Sequence, residues 1–245
     1  MERGEDPISP AAAASALIWW SDAGVDVMID EEPRDWLRPK AELKPAASPA
    51  PSALPEDPTE APPGQLDLFQ AWLASSESLS FASPAAPRVC PSGDPASGLM
   101  ILADMPSADD CAAGALISGA AGRLFERMLA AIGRDRASIY LAALSCLRSP
   151  DGRFSSDSAK SCAALARHHI GLVQPRAVLL LGDACAKALV GQPMAQARRK
   201  WHEIATHAGP VRALVSLPPS YLLDHPAHKA HAWADLQMLL EEVNR

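Results

Sequence analysis

Hydrophobic residues in the second half of the chain follow two alternating patterns. Short, uninterrupted apolar runs predict buried strands, and they lie at residues 99–102, 139–144, 177–181 and 211–217. Between them, apolar residues at helical spacing predict helices at residues 122–132, 158–171, 183–190 and 227–243. Strands that alternate with helices indicate an α/β fold in which a mostly parallel, four-stranded sheet is covered on both faces.

One stretch, residues 98–133, combines the features of a ligand site in such a sheet. The predicted strand ends in a polar turn that contains Asp104, and small residues from Gly114 to Gly122 allow a loop to approach a ligand closely. Open α/β sheets bind ligands beyond the carboxyl ends of their strands, so the stretch predicts a site at that edge. The alternative is an ordinary strand–turn–helix unit.

Composition divides the chain into four segments. The first predicts a helical segment, and the second is a Pro- and Ala-rich linker that cannot bury enough apolar surface to order itself. The third predicts one helix followed by a loop, and the fourth holds the α/β pattern. The segments are residues 1–38, 39–64, 65–97 and 98–245.

Charge and tryptophan are unevenly distributed between these segments. Residues 1–97 carry 16 acidic and 6 basic side chains, a formal charge of −10, whereas residues 98–245 carry 13 acidic and 16 basic side chains, or +3. An acidic arm on a mildly basic domain suits a nucleic-acid-binding fold. Trp19, Trp20 and Trp36 in the arm suggest docking, either on the main domain or on a protein partner.

The chain starts with an acidic, polar segment, and no apolar run approaches 18 residues. We therefore predict neither a signal peptide nor a membrane span, and we expect a cytoplasmic protein.

Six motifs of the main domain, in the same order, resemble those of the uracil-DNA glycosylase superfamily. The closest resemblance is to its thermostable iron–sulfur branch, the family 4-like branch. The motifs are ADMPS at 103–107, GALISG with the helix that follows at 114–133, YLAALSCLRSPDGR at 140–153, RRKWHE at 198–203, PSYLL at 219–223 and WADL at 233–236.

The resemblance implies a three-layer αβα sandwich that hydrolyses the bond between uracil and deoxyribose after the base is flipped into a pocket. Asp104 stands in place of the catalytic loop Glu, and Asp109 is a second acid close to it. Pro106 retains the loop proline. The basic loop and the segment after the last strand are then expected to contact DNA through Arg198, Arg199, Lys200, Trp201, His202 and Ser220.

Three positions of the implied base pocket depart from the family pattern. Ile117 replaces the stacking aromatic, Ala143 replaces the Asn that reads uracil, and Pro218 replaces the catalytic His. The loss of one charge-stabilising donor typically costs about 10²–10³ in rate. We therefore expect N-glycosidic hydrolysis to be weak, altered or lost.

The cysteines do not match the four ligands that this branch uses for its iron–sulfur cluster. All five lack a C-x-x-C partner, and Leu147 stands at the third ligand position with Cys146 one residue early. We expect no cofactor and small buried thiols. The alternative is a rearranged cluster that uses Cys90, Cys146 and Cys162.

Two further patterns leave alternatives open. His225, His228 and His231 recur every third residue, which suits a zinc site or simply surface histidines. In the basic loop, Trp201 could stack on a base or be buried while the charges are solvated.

Three functions compete at this point. The first is a glycosylase-like DNA repair protein that acts on deaminated bases. The second is an inactive adaptor with the same fold that binds DNA or a protein. The third is a small-molecule enzyme that relies on Asp104, Asp109 and Asp110.

Overall fold

A computed structural model describes residues 61–83 and 85–243, which lie in the unit Glu56–Arg245. The predicted N-terminal helical segment, most of the predicted linker and the three arm tryptophans lie outside the described residues, so the predicted segment boundaries stay predictions. Within the described residues, no helix is long and apolar enough to cross a membrane.

The centre of the fold is a mixed sheet of six strands. The strands are β1 (Ser92–Gly93), β2 (Leu99–Ala103), β3 (Tyr140–Ala143), β4 (Ala177–Leu181), β5 (Trp201–Thr206) and β6 (Gly209–Ser216). Their order in the sheet is β1-β3-β2-β4-β6-β5. The four predicted strands are the parallel centre of this sheet, and β1 and β5 add an antiparallel strand at each edge.

The prediction of a four-stranded sheet is therefore wrong at its edges. Strand β5 includes Trp201 and His202, which the sequence analysis assigned to a basic loop. Its residues WHEIAT lack a strong apolar alternation, but a tight turn at His207 and Ala208 pairs Thr206 with Gly209 and folds β5 back onto β6. The pairing partner, rather than the local pattern, makes this segment a strand.

Eight helical segments flank the strands in the described residues. They are α1 (Leu66–Ser75), α2 (Ala108–Ala113), α3 (Gly119–Ala131), α4 (Ser156–Val173), α5 (Asp183–Cys185), α6 (Met194–Ala197), α7 (Pro219–Asp224) and α8 (Lys229–Val243). Helix α5 continues as a π-helical turn, and short 3₁₀ turns precede β2 and α8; these are Ala186–Val190, Pro95–Ser97 and Pro226–His228.

Successive residues of each central strand belong to two separate apolar clusters. Met100 and Leu102 of β2 pack with α4 and the π-helical turn, whereas Leu99 and Ile101 pack with α3 and α8. Side chains of a strand alternate between its faces, so each face of the sheet is covered by its own layer of helices. This arrangement leaves the carboxyl ends of the parallel strands for the connecting loops.

Helix α1 packs against the central domain through a third apolar cluster. Phe69, Trp72 and Leu73 pack with Cys146 and Leu147. Two polar contacts extend this packing: Gln70 donates a hydrogen bond to the Tyr140 hydroxyl (2.8 Å), and that hydroxyl lies 2.8 Å from His169 Nε2. Burial lowers the pKa of His169 to about 3, so the imidazole is neutral at physiological pH.

Candidate functional site

The carboxyl ends of the four parallel strands lie side by side in register. Ala103 pairs with Ala143 on one side and with Leu181 on the other, and Leu181 pairs with Ser216. The row continues into the turns, because the amide of Ser145 donates to the carbonyl of Asp104 (3.3 Å). The register brings Asp104 and Ala143 together and places Pro218 two residues beyond the same edge.

The Asp104 carboxylate links the end of β2 to the start of α5. Its Oδ1 accepts a hydrogen bond from the Cys185 amide (2.7 Å), and its Oδ2 accepts one from the Ala184 amide (3.3 Å). Gly182 has φ +126°, and a Cβ at this position would overlap the carboxylate. Burial raises the pKa of Asp104, which makes it a stronger base than an exposed aspartate.

The second predicted acid, Asp109, lies exposed in the first turn of α2, beside Gly119. The buried acid is its neighbour Asp110, which accepts hydrogen bonds from the amide and hydroxyl of Ser118 (2.6 and 2.7 Å) and from the amide of Ser107 (2.9 Å). Burial pushes the pKa of Asp110 upward, but the hydrogen bonds from Ser107 and Ser118 outweigh it and lower the pKa below its ordinary value. Asp110 therefore fixes the loop after β2 rather than facing a ligand.

Ile117 is buried in the same loop with a backbone φ of +52°. A β-branched residue is strained in this left-handed conformation, at a cost of about 1–3 kcal/mol. Arg136 holds the strained turn in place, because its guanidinium donates to the carbonyls of Leu116 (2.9 Å) and Ile117 (2.5 Å). The side chain of Ile117 packs in the α3–α8 apolar cluster, which Ala143 also contacts.

The remaining predicted pocket positions offer no side-chain hydrogen-bonding group. Ala143 lines a small cavity of about 30 Å³ together with Cys146, Cys162 and His169. Pro218 is half-buried and caps the start of α7 in an extended conformation. Pro106 is buried, and its carbonyl accepts a hydrogen bond from Arg148 (3.1 Å).

The predicted basic loop divides into one buried and two exposed cations. The Arg198 guanidinium donates through Nε and Nη2 to the same oxygen of Asp235, at 2.9 and 2.7 Å, and the Ser216 hydroxyl also donates to that oxygen (2.8 Å). Arg198 therefore forms an internal ion pair with Asp235, and its predicted contact with DNA stays a prediction. Arg199 and Lys200 are exposed, and they lie at the carboxyl edge because β5 begins opposite Leu214.

Trp201 and His202 are both half-buried in β5. The Arg212 guanidinium lies over the Trp201 ring, 4.4 Å from its centroid, and His202 Nε2 lies 2.7 Å from the Ala197 carbonyl. Both rings therefore have partners within the chain. Ser220 is exposed in the first turn of α7.

The histidines with three-residue spacing lie on the surface after α7 and stack on one another. The Tyr221 and His225 rings are 4.1 Å apart, the His225 and His228 rings 5.8 Å, and the His228 and His231 rings 5.4 Å. Across residues 61–83 and 85–243, no group of three or more His, Cys, Asp or Glu side chains could hold a metal ion.

One feature that the sequence analysis missed is an open cleft of about 950 Å³ on the α4 side of Asp104. Its lining combines Asp104 with Phe154 and with residues at the starts of α4 and α5. Charged side chains are frequent among them: Asp104, Arg153, Lys160, Arg167, Asp183 and Lys187. The only signal in the sequence was the motif at 140–153, which ends at Arg153, because the cleft forms where two distant helices meet.

Comparison with known proteins identifies the family of the chain. The sequence pattern of the Uracil DNA glycosylase superfamily matches residues 90–237. The chain belongs to this superfamily. A curated relative, the type-4 uracil-DNA glycosylase of Pyrobaculum aerophilum, is 26% identical over 148 residues, which cover 58% of this chain and 76% of the relative. The resemblance that the motifs predicted is confirmed.

The residues present lack the full set of thiol ligands for the iron–sulfur cluster that the resemblance to the type-4 branch of the superfamily implies. Leu147, at the third ligand position, is fully buried among the apolar side chains of α1. The Cys146 thiol donates to the Leu73 carbonyl (3.7 Å), and burial raises its pKa to about 11. Burial also raises the pKa values of Cys90 and Cys162.

Proposed function

We propose that this chain is a uracil-DNA glycosylase-like protein of base excision repair that binds DNA and an extruded, deaminated base, and that its N-glycosidic hydrolysis is weak or altered. The observation that carries the proposal is the retention of Asp104 at the carboxyl edge, beside pocket positions that have lost their polar groups. The superfamily assignment supports DNA and a flipped base as ligands.

The remaining chemistry centres on Asp104. A carboxylate has about four acceptor positions, and two are used by the Ala184 and Cys185 amides, so the others can orient a water molecule. Nothing at Ala143 or Pro218 donates a side-chain hydrogen bond to the departing base. Since an oxyanion-type donor is worth about 10²–10³ in rate, hydrolysis by Asp104 alone should be slow.

A second candidate is an inactive adaptor that keeps the fold to bind DNA or a protein. It is favoured by the combined loss of the implied stacking aromatic at Ile117 and of polar groups at Ala143 and Pro218. The acidic, tryptophan-bearing arm offers such an adaptor a protein-binding segment.

Base release under single-turnover conditions tests the two candidates. Labelled duplexes with a single uracil, hypoxanthine or xanthine are incubated with excess protein, and wild type is compared with Asp104→Asn and with Asp109→Asn. We expect slow release by wild type, none by Asp104→Asn and unchanged release by Asp109→Asn, because Asp109 is exposed on α2. Absence of release above background from all three duplexes would exclude the enzyme and leave the adaptor.

We also propose that this function needs no iron–sulfur cluster. Anaerobically purified protein should contain less than one tenth of an iron atom per chain by elemental analysis and should show no visible absorption band. Four iron atoms per chain would contradict the proposal.

A further inference from the structure

The cleft beside Asp104 has the size and composition of a ligand site. Its volume of about 950 Å³ lies within the range of about 300–1,000 Å³ that is typical of small-molecule sites. Met105, Leu144 and Phe154 supply its apolar walls. It opens to solvent beside Asp104, the predicted catalytic carboxylate at the strand ends. This cleft differs from the cavity that Ala143 lines.

Phe154 supplies a ring that the implied base pocket lacks. The Phe154 side chain is half-buried and packs against the apolar cluster formed by β2, α4 and the π-helical turn. Its ring centroid lies 6.0 Å from that of Phe81. A base gains stacking energy from any aromatic face, whereas the strained Ile117 offers none. An aromatic wall is therefore available on the α4 side of Asp104.

Cationic side chains outnumber carboxylates in the cleft by four to two. Two of the four already have partners within the chain: the half-buried Arg167 donates to the Ala188 carbonyl (3.0 Å), and the exposed Lys187 pairs with Asp183. Arg153 and Lys160 are exposed, and the single ion pair of Lys160, to Asp157 at 4.0 Å, joins two solvated side chains. These two cations can contact a phosphate.

We propose, on the basis of the proposed function, that the extruded nucleotide enters this cleft between α4 and α5, where its base stacks on Phe154 and its phosphate meets Arg153 and Lys160. In this position the sugar–base bond lies beside the Asp104 carboxylate, on the α4 side of the sheet edge. The departures from the family pattern at Ile117, Ala143 and Pro218 follow, because those positions no longer contact the base.

Binding to lesion DNA tests this assignment. The dissociation constants of a U:G duplex and of its C:G parent are measured by fluorescence anisotropy for wild type, Phe154→Leu, Phe154→Tyr and Trp233→Leu. Base stacking on an aromatic ring is worth about 5- to 100-fold in affinity. We expect Phe154→Leu to lose the preference for U:G by this factor, Phe154→Tyr to keep it, and Trp233→Leu, which removes an exposed ring from α8, to match wild type.

A second variant keeps the test independent of the packing of Phe154. The double substitution Arg153→Glu and Lys160→Glu changes only exposed side chains, and it should weaken U:G binding more than 10-fold while the melting temperature stays unchanged. If both variants keep the preference for U:G, the cleft assignment is wrong while the proposed function stands. If wild type shows no preference for U:G, both are wrong. Tighter binding of free dUMP than of the U:G duplex would also overturn the assignment to DNA.

Discussion

The loop after β2 and the segment after β6 end at the same edge of the sheet, but they use their polar groups differently. Each is held by a buried carboxylate: Asp110 binds the amides of Ser107 and Ser118, and Asp235 binds Arg198 and Ser216. Only the first segment also directs a carboxylate, Asp104, into a cleft. The residues that hold the loops and the residues that would contact a base are therefore separable.

The two buried carboxylates also differ in how well they are hydrogen-bonded. Both oxygens of Asp110 accept hydrogen bonds. In Asp235, Oδ2 accepts all three hydrogen bonds, and Oδ1 has no partner among the described residues. Burial accordingly raises the pKa of Asp235, whereas the hydrogen bonds lower that of Asp110 despite its burial. The carboxylate that holds the β6 segment therefore keeps one buried oxygen without a hydrogen bond among the described residues.

The largest effect is expected from breaking the ion pair behind the β6 segment. Arg198 is almost buried, and Asp235→Ala leaves it without a counter-charge. Removal of one partner from a buried pair costs about 3–5 kcal/mol of folding stability. Urea unfolding measures this loss. Asp224→Ala, which removes an exposed carboxylate from α7, should change the free energy of unfolding by less than about 0.5 kcal/mol. Equal effects of the two substitutions would contradict the buried role of Asp235.

Restoring the missing hydrogen-bond donors tests whether the base still reaches the implied pocket at this edge of the sheet. Pro218→His combined with Ala143→Asn returns the side chains that the superfamily pattern implies at these positions. If the base can still reach them, release of uracil should rise by about 10²–10³. Pro218→Ala with Ala143→Asn is the matched control, because it differs only in lacking the imidazole donor at position 218. No gain in rate would place the base elsewhere and support the cleft between α4 and α5.

Acid should weaken the β2 loop selectively. The pKa of Asp110 lies below the ordinary value of about 3.9, so its contribution is complete above that pH and is lost as the pH falls through the lower, folded-state pKa. Asp110→Asn should destabilise the protein by about 1–3 kcal/mol at pH 7, because a buried donor loses its partner. In urea unfolding from pH 7 to pH 3, this difference should shrink below about pH 4. Asp109→Asn, an exposed position on the same helix, is the control and should change the free energy of unfolding at pH 7 by less than about 0.5 kcal/mol.

The smallest effect concerns the exposed cations before β5. Arg199→Ala and Lys200→Ala should each weaken DNA binding a few-fold and reduce the salt dependence of the dissociation constant by about one phosphate contact. Arg176→Ala is a matched control, because Arg176 is exposed immediately before β4, at the opposite edge of the sheet. An equal loss of affinity in all three variants would show that the carboxyl edge is not the DNA-binding side.

Much of the fold followed from local pattern. The four parallel strands and the helices between them were predictable because each buries an apolar face with its own period. The edge strand β5 was not, because its identity as a strand depends on pairing with β6. The packing of Leu147 and Cys146 against α1 was not predictable either, because it depends on a helix more than 70 residues away in the chain.

The candidate site was predictable at Asp104, because an acid after a buried strand is placed at the sheet edge by the strand itself. The roles of neighbouring acids were not. Asp109 and Asp110 are adjacent in sequence, yet one is exposed and the other is the buried partner of Ser118, eight residues away. Helical geometry points adjacent side chains in different directions, so only the packing of the loop decided which acid was internal.

The amino-acid sequence by itself determined the order of the elements and the edge at which a ligand would bind, since both follow from periodicity and from the direction of parallel strands. The tertiary structure alone decided which charges remain available there. Arg198 and Arg199 are chemically identical neighbours, but Arg198 forms an ion pair with Asp235 of α8, whereas Arg199 is exposed to solvent. Such a division depends on contacts between residues far apart in the chain, which local sequence patterns do not encode.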